Sequence, residues 1–175
     1  RPQARAGKTT GEQESRAVRS GRMRFLELRI PPLLLVVIFA AAMAGVARLV
    51  PSATIVVPAR LAALIFFIAL GMATAAAGVF AFRRHETTVN PLAPDEASSL
   101  VSTGIYRVTR NPMYLGLLLI LAGWCVYLGN GVAALLLPPF VAWMNRFQIG
   151  PEERALAAKF GLRFTEYMAK VRRWV

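Results

Sequence analysis

The sequence has few residues of the kinds that form disulfide frameworks and metal sites. Its 175 residues include one cysteine and one histidine. A single cysteine excludes an internal disulfide and any multi-thiolate metal site, and a single histidine excludes a site made of several imidazoles. Acidic residues are also scarce, with 9 Asp and Glu against 21 Lys and Arg. We therefore expect no metal centre.

The net charge is +12, yet 56% of the residues are hydrophobic. Charge alone would suggest a nucleic-acid partner, but this apolar fraction is typical of a membrane protein with basic ends, so we expect no nucleic acid. Residues 1–24 have little to bury and are predicted to be a disordered basic tail, either a structureless leader or a segment attracted to anionic lipid. Residues 25–175 are predicted to form one membrane domain.

Four apolar stretches predict an all-α integral membrane fold with four transmembrane helices. They cover residues 30–50, 61–82, 112–128 and 132–144. The first two have about the 20 residues that a membrane-spanning helix needs. The last two are shorter and are joined by Gly129-Asn130-Gly131 alone, which predicts a tight helical hairpin. Pro138 and Pro139 should kink its second arm.

The positive charges predict the orientation in the membrane. Nineteen of the 21 Lys and Arg lie in the tail, in the loop 83–111 or in the C-terminal part, which four spans place on one face. The positive-inside rule makes that face cytoplasmic. All nine acids and the histidine lie there too, so we expect the chemistry on the cytoplasmic side. The Ala- and Arg-rich composition and the short loops suggest a prokaryotic plasma membrane.

The second span contains two overlapping pairs of small residues four apart, Gly71 with Ala75 and Thr74 with Gly78. Such pairs allow helices to approach closely in lipid. They predict close packing within the chain or, alternatively, a homodimer.

The start of the third span has the features of an anion site. Asn111 is a candidate N-cap, and Pro112 suits the first helical position. A helix that starts there directs its free N–H groups and positive dipole end at the loop, where Tyr106, Arg110 and Tyr114 also lie. The alternative is interfacial anchoring by aromatic and arginine side chains.

The C-terminal part predicts an amphipathic helix on the membrane surface or against the bundle. Pro151 opens it, and Glu152 and Glu153 suit the dipole of its first turn. An apolar stripe follows at helical spacing: Leu156, Phe160 and Phe164. Either the glutamates only complement the dipole, or one of them binds a ligand at the membrane edge.

Two motifs together resemble one known superfamily. The first is Leu100-Val101-x-x-Gly104-x-Tyr106-x-x-x-Arg110-Asn111-Pro112-x-Tyr114-x-Gly116, and the second is Glu152-Glu153-x-x-Leu156-x-x-x-Phe160-Gly161, followed by Tyr167 and Arg172-Arg173-Trp174. With a helical hairpin between them, they resemble the isoprenylcysteine carboxyl methyltransferase and phospholipid methyltransferase superfamily. The resemblance covers residues 85–175, which it identifies as the cofactor half of the domain.

The resemblance implies an integral membrane methyltransferase that uses S-adenosylmethionine. Its acceptor would be lipophilic, either isoprenylcysteine carboxylate-like or phospholipid-like, and would enter from the bilayer. The positions that match cofactor-binding residues of the family are Ser98, Ser99, Leu100, Val101, Tyr106, Asn111, Pro112, Met113, Tyr114, Glu152 and Glu153. The catalytic candidates are His85, Arg110 and Asn111, and the candidates for acceptor binding are Arg146 and Gln148.

The chain departs from the family pattern at two positions. Asn111 replaces a histidine, and asparagine does not titrate near neutral pH, so His85 becomes the candidate base. Gln148 replaces the arginine of the carboxyl-methylating members, with Arg146 nearby but out of register. This departure weakens the case for a carboxylate acceptor.

Two other functions fit part of the pattern. A membrane reductase similar to the sterol reductases would share the Pro-x-Tyr-x-Gly element and use NADPH. A non-catalytic membrane scaffold would explain the substitutions at Asn111 and Gln148. The Glu152-Glu153-x-x-Leu156 motif favours the methyltransferase.

Overall fold

The computed structural model describes residues 27–28, 30–84 and 100–175. The described part is helical and contains no strand, apart from one isolated bridge between Thr54 and Asn130. Its α-helices are α1 (Pro32–Leu49), α2 (Arg60–Arg84), α3 (Pro112–Leu128), α4 (Gly131–Ala134), α5 (Leu137–Trp143), α6 (Gly150–Phe160) and α7 (Leu162–Lys170). The predicted tail, residues 1–24, lies outside the described residues.

The predicted all-α membrane fold is confirmed. Among the described residues, three helical segments are long and apolar enough to cross a bilayer: Pro32–Leu49, Arg60–Arg84 and Gly131–Phe160. The third predicted span, α3, is apolar but has only 17 residues. Many large apolar side chains of α1 and α2 are exposed in the structure, as expected for helices that face lipid.

The fourth predicted span forms in a different way. Instead of a separate helix over residues 132–144, it belongs to the 30-residue helical segment Gly131–Phe160. The segment is interrupted between α4 and α5. Pro138 lies in the first turn of α5, and because proline has no N–H, it cannot continue the hydrogen bonding of the preceding helix. A π-helical turn, Met144–Ile149, then joins α5 to α6 without a loop. None of the sequence motifs predicted this turn.

Glycines bring α2 and α3 into close contact. A Cβ atom added at Gly71 would lie 2.5 Å from the carbonyl oxygen of Gly116, and one added at Gly123 would lie 2.5 Å from Cβ of Phe67. Gly78 packs on Pro112 in the same interface. The predicted packing of small residues within the chain is therefore confirmed. Since α3 covers Gly71 and Gly78, these residues are not available to join two copies.

The predicted hairpin turn is present and is anchored to the loop after α1. Gly129 has φ +58°, a left-handed conformation that glycine adopts without strain. Asn130 is 3% exposed. Its Oδ1 accepts from the amide of Ala133 at 3.0 Å, and its Nδ2 donates to the carbonyl of Val50 at 2.9 Å. One side chain thus caps α4 and holds the end of α1.

Replacing Asn130 by Ala should destabilise the protein by about 1–3 kcal/mol, because the buried amide of Ala133 loses its acceptor and the carbonyl of Val50 keeps only the amide of Ala53 as a donor. Asn130→Asp keeps the cap acceptor but places a carboxylate oxygen against the carbonyl of Val50 in a buried site, so it should destabilise the protein at least as much. The measurement is unfolding in a titration of sodium dodecyl sulfate against mild detergent, followed by circular dichroism. Equal stability of Asn130→Ala and the unmodified protein would contradict this role.

The C-terminal amphipathic helix forms as two helices instead of one. Gly161, with φ +56°, ends α6 and begins α7. The apolar stripe nevertheless faces inward. Phe164 and Tyr167 are buried against Val101 and Tyr106, and Leu156 packs on the same cluster. The stripe is therefore part of a small core against the end of the bundle where α2 ends and α3 begins, which is the second of the two arrangements predicted.

Candidate functional site

A cavity of about 90 Å³ lies where the two sequence motifs meet. The end of α2, the segment 100–107, the start of α3 and both C-terminal helices surround it. Its lining residues are Phe82, Leu100, Val101, Tyr106, Arg110, Asn111, Met113, Tyr114, Glu152, Glu153, Leu156, Phe164 and Tyr167. Most cofactor positions implied by the resemblance lie on this cavity, although they come from regions about 40 residues apart in the sequence.

Glu152 and Tyr114 form the polar contact at the centre of the cavity. The hydroxyl of Tyr114 donates a short hydrogen bond to Oε1 of Glu152. Tyr114 lies in the first turn of α3 and is 4% exposed, and Glu152 lies in the first turn of α6. The bond uses one carboxylate oxygen, so the other oxygen is left to accept from a ligand.

Glu153, the neighbouring residue, belongs to an ion-pair network. Its carboxylate pairs with Arg110 at 2.7 Å and also with Arg173. Arg110 donates in addition to the carbonyls of Met168 and Val171, at 2.9 and 2.6 Å. The hydrogen bond to Glu153 raises the pKa of Arg173, whereas burial lowers it, and the hydrogen bond has the larger effect. The network connects α3, α6 and the C-terminal residues.

Asn111 has a role that the sequence did not predict. It occupies the N-cap position of α3, but its side chain does not cap the helix. Its Nδ2 donates instead to the backbone carbonyl of Arg173 at 2.9 Å. The backbone N–H of Asn111 donates to Oγ1 of Thr109 at 3.1 Å. The prediction that the Asn111 side chain caps α3 is therefore wrong. Its side-chain amide instead holds the C-terminal segment against the start of α3.

Tyr106 and Tyr167 close another side of the cavity. The hydroxyl of Tyr167 donates to the backbone carbonyl of Tyr106 at 2.7 Å. Burial raises the pKa of Tyr167 to about 12 and raises the pKa of Tyr106 above its ordinary value. Phe82 packs edge-on against the ring of Tyr106. Burial therefore favours the neutral form of both tyrosines.

The cavity is not lined by the other predicted residues that the structure describes, Pro112, Arg146 and Gln148. Arg146 pairs with Glu27 at 3.0 Å, and Gln148 is 1% exposed and donates to the carbonyl of Ile30 at 2.5 Å. His85, Ser98 and Ser99 lie outside the described residues. Residues that the sequence did not assign to the site include Phe82, Leu156, Phe164 and Tyr167. The apolar stripe contained Leu156 and Phe164, but helical spacing alone does not show what an apolar face covers.

Two larger grooves adjoin the cavity. One, of about 340 Å³, lies between α1, α2 and α3 and is lined by Pro31, Pro32, Leu33, Ala75, Val79, Met113, Tyr114 and Leu117. It shares Met113 and Tyr114 with the cavity, and its surface is apolar. The other, of about 750 Å³, shares Leu100 and Tyr167 and carries Arg107, Arg163 and Lys170. The cavity thus lies between a lipid-facing groove and a charged one.

Metal ligation has no support in the described part of the chain, where no three His, Cys, Asp or Glu side chains are grouped so that they could hold an ion. The polar residues that line the cavity are instead two glutamates, an asparagine, an arginine and three tyrosines, which suit an organic ligand.

Comparison with known proteins identifies the family. The family model for phospholipid methyltransferase matches residues 59–163, which is more than half of the chain. An uncharacterized protein of Haemophilus influenzae is 49% identical over 63 residues, which are 36% of this chain and the whole of that relative. No solved structure matches. The match includes α2, which the sequence motifs did not reach, together with the hairpin and α6. The chain is therefore an integral membrane protein that belongs to the phospholipid methyltransferase family.

Proposed function

We propose that the protein transfers a methyl group from S-adenosylmethionine to a lipophilic acceptor at the cytoplasmic face of the membrane. The observation that carries the proposal is the Glu152–Tyr114 pair, because Tyr114 lines both the apolar groove and the cavity in which Glu152 accepts its hydrogen bond. Such a position gives a polar cofactor and a membrane-dissolved acceptor access to the same point.

The cavity alone is smaller than the roughly 300 Å³ at which ligand pockets begin. We therefore propose that S-adenosylmethionine extends from the cavity into the adjoining groove of about 750 Å³, with which the cavity shares Leu100 and Tyr167. Glu152 would hold the ammonium or the ribose hydroxyls through its second oxygen. The N-terminus of α3 supplies N–H groups for the carboxylate, and Nε of Arg110 is a buried donor with no partner in the described residues. Val101, Leu156 and Phe164 offer apolar surface for the adenine ring.

The chain contributes binding, orientation and exclusion of water. S-adenosylmethionine supplies an electrophilic methyl group on a sulfonium, which an acceptor takes up by in-line displacement. Positioning of two reactants in a dry site accounts for much of the barrier reduction in such reactions. Tyr114 reaches both the cavity and the apolar groove, so we assign to it the alignment of acceptor and cofactor. Arg110 and Asn111 are held by intramolecular contacts, which supports positioning roles for both.

The distribution of charge supports the proposed cytoplasmic orientation of the cavity. Arg83 and Arg84 end α2, and the arginines and lysines of α6, α7 and the C-terminal residues lie at the same end of the bundle as the cavity. The opposite end, with the loop between α1 and α2 and the hairpin turn, carries only Arg48 and Arg60 among the described cations. The positive-inside rule therefore supports a cavity open to the cytoplasm.

Titration calorimetry of the detergent-purified protein with S-adenosylmethionine tests the proposal. We expect saturable binding, and Glu152→Gln should weaken it about tenfold or more, which corresponds to about 1.4 kcal/mol. Glu166→Gln is the matched control, because Glu166 is an exposed glutamate of α7 outside the cavity and should leave the affinity unchanged.

NADPH serves as the competing ligand in the same experiment. Absence of S-adenosylmethionine binding by folded protein would overturn the methyltransferase proposal. Tight binding of NADPH in its place would favour a reductase. If Glu152→Gln lowers the affinity no more than the control Glu166→Gln does, the change is not specific to the cavity and the proposed contact of the cofactor with Glu152 is wrong.

A further inference from the structure

The cavity and the apolar groove meet at the first turn of α3. Among the described residues, Met113 and Tyr114 line both spaces. In-line methyl transfer requires the two reacting atoms to lie about 3–3.5 Å apart. An acceptor whose apolar part lies in the groove must therefore bring its reactive end past the side chains that separate the groove from the cavity.

One face of α2 forms the opposite side of this passage. Ala75 and Val79 line the groove, and Phe82 lines the cavity. Together with Gly78 they recur at the spacing of a single helix face, at positions 75, 78, 79 and 82. The step from Val79 to Phe82 corresponds to about 4.5 Å along the helix axis. The groove and the cavity are therefore separated by about the thickness of one side chain.

The side chain of Met113 occupies this separating position. A Cβ atom added at Gly78 would lie 3.3 Å from Cγ of Met113 and 2.9 Å from Cγ of Pro112. Gly78 is buried, and on its helix face it lies between Ala75, which lines the groove, and Phe82, which lines the cavity. The missing side chain at Gly78 thus leaves the space between α2 and α3 in which Met113 lies.

Of the two shared residues, Met113 is the one that moves more easily. Tyr114 is 4% exposed and its hydroxyl donates to Glu152, so displacement of its ring would break a buried hydrogen bond. Met113 is half-buried. Its side chain is unbranched, has three rotatable bonds and adapts to irregular spaces. Displacement of Met113 therefore costs less free energy than displacement of Tyr114.

We propose that Met113 is a gate between the apolar groove and the cavity, and that the side chain at position 113 determines which acceptors reach the cofactor. The inference rests on the proposed function, because it takes the groove as the acceptor site and the cavity as part of the cofactor site. A displaced methionine vacates the space of one unbranched chain. The part of the acceptor that passes the gate is therefore no wider than such a chain, and any bulkier part stays in the groove.

Calorimetry with aza-analogues of S-adenosylmethionine tests the gate without an identified acceptor. In these analogues a nitrogen atom replaces the sulfonium sulfur and carries a methyl group, an octyl group or a glycol ether chain as long as octyl. An octyl chain that passes the gate enters the apolar groove, so the octyl analogue should bind the unmodified protein about tenfold or more tighter than the methyl analogue. The glycol ether chain should bring little gain, because its oxygens lose water in an apolar groove.

Substitutions at position 113 should change the ratio of octyl to methyl affinity in opposite directions. Met113→Ala opens the gate and should raise the ratio about threefold or more. Met113→Phe places a wider and stiffer ring there and should lower it about tenfold or more. Met72→Phe is the matched control, because Met72 is a methionine of α2 that is 62% exposed and lines neither space. This variant should keep the ratio of the unmodified protein.

The outcomes separate the gate from the proposed cofactor. Equal affinity of the octyl and methyl analogues for the unmodified protein would overturn the gate, and so would an equal gain from the octyl and glycol ether chains. Equal ratios in Met113→Phe and Met72→Phe would also overturn it. If Met113→Phe does not fold, the rise expected for Met113→Ala decides the question. Failure of both S-adenosylmethionine and the methyl analogue to bind would overturn the proposed function itself and this inference with it.

Discussion

Replacement of Arg110 by Met should destabilise the protein by about 3 kcal/mol, which is the largest loss that we expect from a single polar side chain. Arg110 is 12% exposed and pairs with Glu153, and it also donates to two carbonyls of the C-terminal residues. Loss of one member of a buried ion pair leaves the other charge uncompensated, which typically costs about 3–5 kcal/mol. We expect the lower end of this range because Arg173 still pairs with Glu153.

Two comparisons make this prediction specific. Arg172→Met removes an exposed arginine next to the network and should have little effect on unfolding by sodium dodecyl sulfate. Arg110→Met combined with Glu153→Leu removes both charges and should recover part of the loss, as replacement of buried pairs by apolar residues often does. Equal stability of Arg110→Met and Arg172→Met would show that the network does not stabilise the fold.

Gly116→Ala should also destabilise the protein, by about 1–3 kcal/mol, and Gly116→Val should be worse. The added methyl group at Gly116 would overlap the carbonyl oxygen of Gly71 and lie 3.0 Å from Cβ of Ala75. The obstacles are a backbone atom and a helix-bound side chain, so α2 and α3 would have to move apart. Because α3 carries Tyr114, a lining residue of the cavity two positions before Gly116, the substitution should also weaken S-adenosylmethionine binding.

Gly45→Ala is the matched control for this substitution. Gly45 is a glycine of the membrane-spanning helix α1, and an added Cβ there would meet nothing within 4 Å. Since alanine has the higher helix propensity, Gly45→Ala should be neutral or slightly stabilising, by up to about 1 kcal/mol. Unfolding of both variants in detergent, with cofactor titration in parallel, gives the comparison. Destabilisation by Gly45→Ala of the same size would mean that helix separation is not the cause.

The sequence predicted much of the candidate site because most of its residues belong to two short motifs. Tyr114 and Glu152 match cofactor-binding positions of the family, one in each motif, and the structure brings them into hydrogen-bonding contact. The prediction for Gln148 and Arg146 differs from the structure, in which neither residue lines the cavity. A single motif does not show on which side of the helix a residue lies. The π-helical turn over Met144–Ile149 changes that register, and the resulting partners are Ile30 and Glu27.

The sequence by itself determined the membrane-spanning architecture, since runs of apolar residues as long as a bilayer leave the backbone no stable choice except helix. It also determined the hairpin, through Gly129 and Asn130, and the family. Only the tertiary structure decided what each polar group contacts. The amide of Asn111 holds the C-terminal residues, Arg110 joins Glu153, and Glu27 spans Arg146 and Arg154. These contacts join residues up to 127 positions apart, and hydrogen-bond partners at such separations depend on how the helices pack, which local sequence patterns do not record.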